Sequence, residues 1–239
     1  MHQDIISQIE RAKELLNDLE ISCEKDFSAK SVSEKTKNLT QEVLLKMKHV
    51  LDQALNRFFG KHISPKLSAK EKKEARVFFP AVNKKEDLKS VLGRAKMGSL
   101  LTDYPDLFNY LDSIQPYNND FLWLRYLTDF AGEKHLRLTP QTKTETKRMT
   151  ASTENISVSI LIDNPNFSVK QGEKCKVTIG GVPIRFANQG IIPLAPGLDT
   201  TITKWVAFQF EGTKINSLWL CKDAVNKGEK IIEQLFSFI

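Results

Sequence analysis

Three observations predict an α+β chain. It has a helical bundle over residues 1–150, a small antiparallel β-element over 151–212, and a C-terminal helix over 213–239 that packs back to complete the bundle. First, apolar residues recur at spacings of three and four through the first 140 residues, which is the signature of one buried helix face. Second, a polar tract from Pro140 to Asn155 separates that region from one of period two, with Ile156, Val158, Ile160 and Ile162 alternating with other residues. Third, helical spacing returns in Leu218, Cys221, Val225, Ile232, Leu235 and Phe236. The 239 residues suffice for one large domain or two small ones.

The first helix covers residues 3–26, with Ile5, Ile6, Ile9, Ala12, Leu15, Leu16 and Leu19 as its inner stripe. Ser28 to Lys37 reads as a polar loop or a helix start. A second helix runs from Thr40, a candidate N-cap, to Phe59, and Gly60 is its stop. Residues 61–86 read as irregular, because Ser64-Pro65 disfavours a helix through that point. Arg76 to Pro80 is a short apolar segment, extended before proline and expected to tuck across the helices. A short helix follows from Asp87 to Lys96, ended by Gly98.

The most informative stretch is Leu107 to Leu138. Leu107, Tyr110, Leu111 and Ile114 share a helix face. Pro116 lacks an N–H and pushes Gln115 out of helical geometry, so Gln115-Pro116-Tyr117 is a break. Asp120 is a candidate cap for the next helix, which buries Leu122, Trp123, Tyr126, Leu127 and Phe130 and stops at Gly132. Pro140 to Asn155 is a linker or a long exposed loop. Four to six mostly antiparallel strands follow, with Gly180-Gly181 as a two-residue hairpin turn from the alternating Cys175, Val177 and Ile179 into Val182 to Phe186, and a long apolar strand from Thr201 to Phe210. Ser217 is the candidate cap of the last helix. Gly228 within it costs about 1 kcal/mol against alanine.

Composition excludes several function classes. Net charge is +6, and 26 basic against 21 acidic side chains place most of the excess in residues 1–150. Two basic runs, Lys61 to Arg76 and Lys134 to Arg148, read either as solvated loops or as an RNA-contacting surface. Cys23, Cys175 and Cys221 lie far apart, which excludes a zinc knuckle and argues against a disulfide framework. Phosphate-loop, His-Glu-x-x-His and Gly-x-Ser-x-Gly patterns are lacking, so no cofactor, metal or serine nucleophile is expected. No run approaches the roughly 18 apolar residues of a membrane span, and the N-terminus is charged and amphipathic. A soluble cytoplasmic protein without a membrane partner is expected. Trp123, Trp205 and Trp219 read as core or interface residues.

The order Leu51-Asp52, Phe78-Phe79-Pro80, Gln115-Pro116-Tyr117, Leu122-Trp123-Leu124 and Lys134-His135 resembles a group of bacterial proteins related to the HEPN helical domains. Members carry Leu-Asp-His on an early helix, an apolar-proline segment, a Gln-Pro-Tyr break, a Leu-Trp-x-Leu helix and Asp-Lys-His-Arg before a β-rich part. The resemblance covers residues 40–140. This chain departs from it with Gln53 after Asp52, Glu133 before Lys134 and Leu136 after His135.

The resemblance implies a HEPN-like bundle and two candidate constellations. Arg57 and His62 meet the spacing of HEPN ribonucleases, with Phe58 in place of the usual polar residue after the arginine. His62 would take the 2′-hydroxyl proton and Arg57 would stabilise the phosphorane charge, in a composite site of a homodimer. The alternative is a helix end with two surface cations. Asp52, Lys134 and His135 form the second set, either as a site in which Asp52 orients His135 or as a structural ion pair. Gln115 and Tyr117 belong with Asp52 and Lys134 as a structural or partner-binding polar network. Two functions follow: a non-catalytic binding or interaction module with a protein partner, or a HEPN-like RNA-binding protein or metal-independent ribonuclease of a toxin or phage-defence system.

Overall fold

A computed structural model describes the backbone of residues 2–29, 31–133, 136–148, 177–179, 182–187, 190–193 and 199–239, and the side chains of these residues up to 140 and from 207 onward. Helices are α1 (Gln3–Ala29), α2 (Glu34–Phe58), α3 (Ala69–Glu74), α4 (Lys85–Arg94), α5 (Leu100–Asp103), α6 (Pro105–Ser113), α7 (Leu122–Ala131) and α8 (Ser217–Phe236). Strands are β1 (Leu138–Arg148), β2 (Val177–Ile179), β3 (Val182–Ala187), β4 (Gly190–Pro193) and β5 (Asp199–Phe210). The chain divides into two compact units: residues 1–141 with 207–239, and residues 142–206.

In the first unit α2 is the central helix. Val43, Leu44, Met47, Val50, Leu51, Ala54, Leu55 and Phe58 are all buried along it, and α1, α7 and α8 each pack against it. From α1 come Ile5, Ile9, Ala12, Leu15 and Leu19 of the expected stripe, with Ile6 and Leu16 only half-buried; from α8 come Leu220, Cys221, Ala224, Val225, Ile231, Ile232 and Leu235, while Leu218 and Phe236, expected inside, are half-buried. The α7 stripe is displaced by one position, because Trp123, Leu124, Leu127, Phe130 and Ala131 point inward while Leu122, at the first turn, is exposed.

Helix ends depart from the sequence expectations for local reasons. Helix α2 begins at Glu34, not Thr40. The Ser33 hydroxyl caps it by accepting from the Thr36 N–H at 3.2 Å, while Asp26 accepts from both the N–H and the hydroxyl of Ser33. Thr40 is instead buried, and its hydroxyl donates to the Thr36 carbonyl. Gly60 does not stop the helix: the chain continues as a π turn over Phe59–Ile63 and a 3-10 turn over Ser64–Lys66. The wider turn brings Ile63 into the core. Residues 61–86 also hold α3, closed by a capping box of Ser68 and Glu71 that the sequence reading overlooked. Helix α4 ends before Gly98, with Lys96 in the left-handed region at φ 60° and Met97 N–H donating to the Leu92 carbonyl. A 3-10 turn, Asn119–Phe121, leads into α7 without a side-chain cap from Asp120. Asn216 rather than Ser217 caps α8; the Ser217 hydroxyl donates to the Phe208 carbonyl of β5.

The tract expected to be a linker holds most of β1, whose threonines at 139, 142, 144 and 146 favour extended backbone although no apolar residue follows Leu138 other than Pro140. β1 pairs with β5 in a two-stranded antiparallel sheet. β2, β3 and β4 form a three-stranded antiparallel sheet in which Ile179 faces Val182 and Ile184 faces both Val177 and Pro193. The hairpin residues Gly180 and Gly181 and the strand expected over residues 156–162 lie outside the described residues. At the end of β5, Phe208 stacks on Phe27 at 4.5 Å and Phe210 on Phe130 at 3.9 Å, which anchors residues 207–210 in the bundle's core. Among the described residues no helix is long and apolar enough to cross a membrane.

Gly228 is more than a helical flaw. A Cβ built there would lie 2.8 Å from the Met47 Cε, so α8 approaches α2 closely at this point. Gly228→Leu is expected to destabilise the bundle by about 1–3 kcal/mol through overpacking. Adding Met47→Ala should restore part of the loss, as read by chemical denaturation.

Candidate functional site

The residues from Arg76 to Val82 form an extended segment beside α2 without belonging to a sheet. Val77, Pro80 and Val82 are buried, whereas Phe78 is 59% exposed. The segment thus tucks across the helices through Val77, Pro80 and Val82. Side chains of the helices hold its backbone. The Asn56 amide donates to the carbonyls of Val77 and of Asp52, both at 2.8 Å. Asp52 Oδ1 accepts from the Phe79 N–H at 2.7 Å, and its Oδ2 from the Lys48 ammonium at 3.1 Å. Fully buried Gln115 accepts from the Val82 N–H at 3.0 Å and donates to the Leu111 carbonyl at 2.8 Å. Asp52 and Gln115, far apart in sequence, therefore serve one seven-residue stretch. Asn56 is the partner that sequence reasoning missed; its spacing of four from Asp52 was the available signal.

Pinning this stretch presents Phe78 to solvent. The Lys48 ammonium lies 5.5 Å from the ring centroid, within cation–π range. Phe78 also lines a 360 Å³ cleft with Glu74, Arg76, Val91, Arg94 and Ala95. Glu74 is paired with Lys96 at 3.0 Å, whereas neither Arg76 nor Arg94 has an ion-pair partner among the described residues. The cleft is cationic on one side and apolar on the other. Arg94 and the α4 wall gave no signal in the sequence.

Tyr117 belongs to a neighbouring cluster. Its hydroxyl donates to Asp112 Oδ1 at 2.5 Å and to the Asp112 carbonyl at 3.0 Å, and Asn118 closes the same helix end through the carbonyls of Asp112 and Ser113. Lys85 at the start of α4 pairs with Asp112 at 3.1 Å. Burial pulls the Asp112 carboxyl upward, but the Tyr117 hydroxyl and Lys85 outweigh it and hold the group below the usual carboxylate range. Burial and the Asp112 contact push the Tyr117 phenol up.

The two remaining constellations are placed as follows. Arg57 forms an ion pair with Asp4 of α1. His62, on the π turn, packs between Phe58 and Tyr104 with ring centroids at 4.8 and 5.5 Å, and its Nε2 is buried without a hydrogen bond. No hydrogen bond or ring contact joins Arg57 to His62 among the described residues. Lys134 and His135 lie outside the described residues, so Asp52 is located and its expected partners are not. Cys23 and Cys221 are buried; burial pushes the Cys23 thiol up to about 12 and raises that of Cys221 further. Trp123 is core, and Trp219 is exposed. Among the described residues no group of three or more His, Cys, Asp or Glu side chains is placed to hold a metal ion. No family model, curated protein or solved structure matches the chain.

Two outcomes follow from these contacts. Asp52→Ala removes the acceptor of the Phe79 N–H and is expected to cost about 1–3 kcal/mol, whereas Asp52→Asn, which keeps an amide oxygen there, should cost less. Urea unfolding and the exchange rate of the Phe79 amide measure both. Because the Asp112 pKa is lowered in the folded state, its contribution is complete above the ordinary carboxylate value, about 3.9, and is lost as pH falls through the lower folded one. Tyr117→Phe should raise the Asp112 pKa in a carboxyl NMR titration and move acid unfolding to higher pH.

Proposed function

We propose that this chain is a non-catalytic binding module, HEPN-like in its helical part, whose recognition surface is centred on Phe78. The observation that carries this reading is the use made of Asp52, Asn56 and Gln115. Asp52 Oδ1, the Asn56 amide and Gln115 Oε1 all engage the backbone of residues 77–82. A hydrogen-bond network of this kind fixes a shape. The shape it fixes holds an aromatic ring in solvent beside two arginines, which is how a binding surface is built and not how a core is packed. A protein is the partner this surface suits.

RNA binding or metal-independent cleavage at Arg57 and His62, in a homodimer, is the alternative. It is supported by the π turn that carries His62, a feature frequent at functional sites, and by the unpaired Nε2 of that ring. For such chemistry Arg57 would have to leave Asp4.

An RNA-degradation assay on the purified chain, beside His62→Ala and His135→Ala variants of matched stability, separates the two. The binding reading expects no cleavage above background from any of the three. Cleavage that disappears in one variant alone would overturn it and identify the catalytic histidine.

A further inference from the structure

The backbone of Phe78 presents an unused strand edge. In an extended chain with trans peptides, the carbonyl of one residue and the N–H two residues on point to the same side, and those of the residue between point the other way. The Val77 carbonyl and the Phe79 N–H are both turned toward α2, where Asn56 and Asp52 engage them. The N–H and carbonyl of Phe78 therefore face away from α2. Neither takes part in a hydrogen bond among the described residues. Phe78 itself lines the 360 Å³ cleft, which is walled by Val91, Arg94 and Ala95 of α4 and its end. Pro80, which has no N–H, closes the edge two residues later.

We propose that an extended acidic segment of a partner protein docks in this cleft by adding a strand to Phe78, with its carboxylates on Arg76 and Arg94. The proposal rests on the binding-module reading and names its ligand class. One residue of an antiparallel partner exchanges two N–H···O bonds with the residue opposite it, and Phe78 offers one donor and one acceptor on the same side. A polypeptide backbone supplies both complements at that spacing, which a phosphodiester backbone does not. Charge sets the composition. Arg76 and Arg94 lack ion-pair partners among the described residues, while Glu74, the cleft's acidic residue, is already neutralised by Lys96. Alternate side chains of the incoming strand would rest on the Phe78 ring and on Val91 and Ala95. The cleft lies at the small end of the range for ligand pockets, about 300–1,000 Å³, so it takes a few residues and not a folded domain.

The test is selection from a random hexapeptide display library on the full chain, repeated on the Arg76→Ala/Arg94→Ala double variant. Acidic peptides should be enriched on the native chain and lost on the variant. A selected peptide should lose about tenfold or more in affinity on either arginine replacement, since each removes a charge-assisted contact. The same peptide N-methylated at alternate amides should also bind about tenfold more weakly in one of its two registers, because methylation removes its ladder donors. Binding of the unmodified peptide should slow exchange of the Phe78 amide. Four results would each overturn the proposal: no enrichment, enrichment of neutral or basic sequences, equal affinity for both N-methylated registers and the parent, or displacement of the peptide by a single-stranded RNA 12-mer that binds more tightly. RNA cleavage in the degradation assay would remove the non-catalytic reading without touching this result, so the two failures are distinct.

Discussion

Burial of α2 on several sides is the constraint on which the rest depends. A helix that packs against one neighbour needs a single stripe. α2 places Val43 beside Leu44, Val50 beside Leu51 and Ala54 beside Leu55 in the interior, because α1, α7 and α8 all lean on it. Such a helix ties distant parts of the chain together. Its Met47 receives Gly228 of α8, and the Thr40 carbonyl accepts the Cys221 thiol at 3.8 Å. Among the polar residues on its remaining surface, Lys48, Asp52 and Asn56 face the segment 76–82.

Backbone groups beside a buried helix need partners, and among the described residues no neighbouring strand supplies them. Asn56, Asp52 and Gln115 stand in for one. Asn56 and Asp52 take the Val77 carbonyl and the Phe79 N–H and leave the backbone groups of Phe78 open, so that the same hydrogen bonds that stabilise residues 77–79 also decide which way Phe78 faces. Stability and presentation have one cause. The break at Gln115-Pro116-Tyr117 belongs to the same arrangement: the proline ends α6 so that Gln115 can turn inward to Val82 and Tyr117 can close the helix end on Asp112.

Helical stripes were legible because burial of one face imposes a period that survives in the residue order, as Ile5, Ile9, Ala12, Leu15 and Leu19 illustrate. Caps were less so. Thr40 and Ser217 each have a capping residue's chemistry, yet both lie inside helices, because Ser33 with Asp26, and Asn216, reached the free N–H groups first. The threonine-rich tract after Pro140 looked like a linker since it lacks apolar residues, although its alternate β-branched positions suit the strand it forms. In the candidate site, Asp52 and Gln115 could be singled out from the motif order, while their common target could not. Phe78 reads from sequence as one more apolar residue before a proline.

By itself, the sequence determined the elements whose cause is local: the period of the helices, the stop at Pro116, the change to strands and the return to a final helix. It also set the charge balance that leaves cations unpaired. Tertiary structure decided what those elements mean together. Whether a half-buried aspartate faces a histidine, a lysine or a backbone N–H depends on which segment arrives beside it, and that is a matter of packing between residues far apart in the chain. The exposure of Phe78, the pairing of Asp52 with Phe79 and the closeness of Arg94 to Arg76 are all of this kind, because distance through space, not position along the chain, sets each of them.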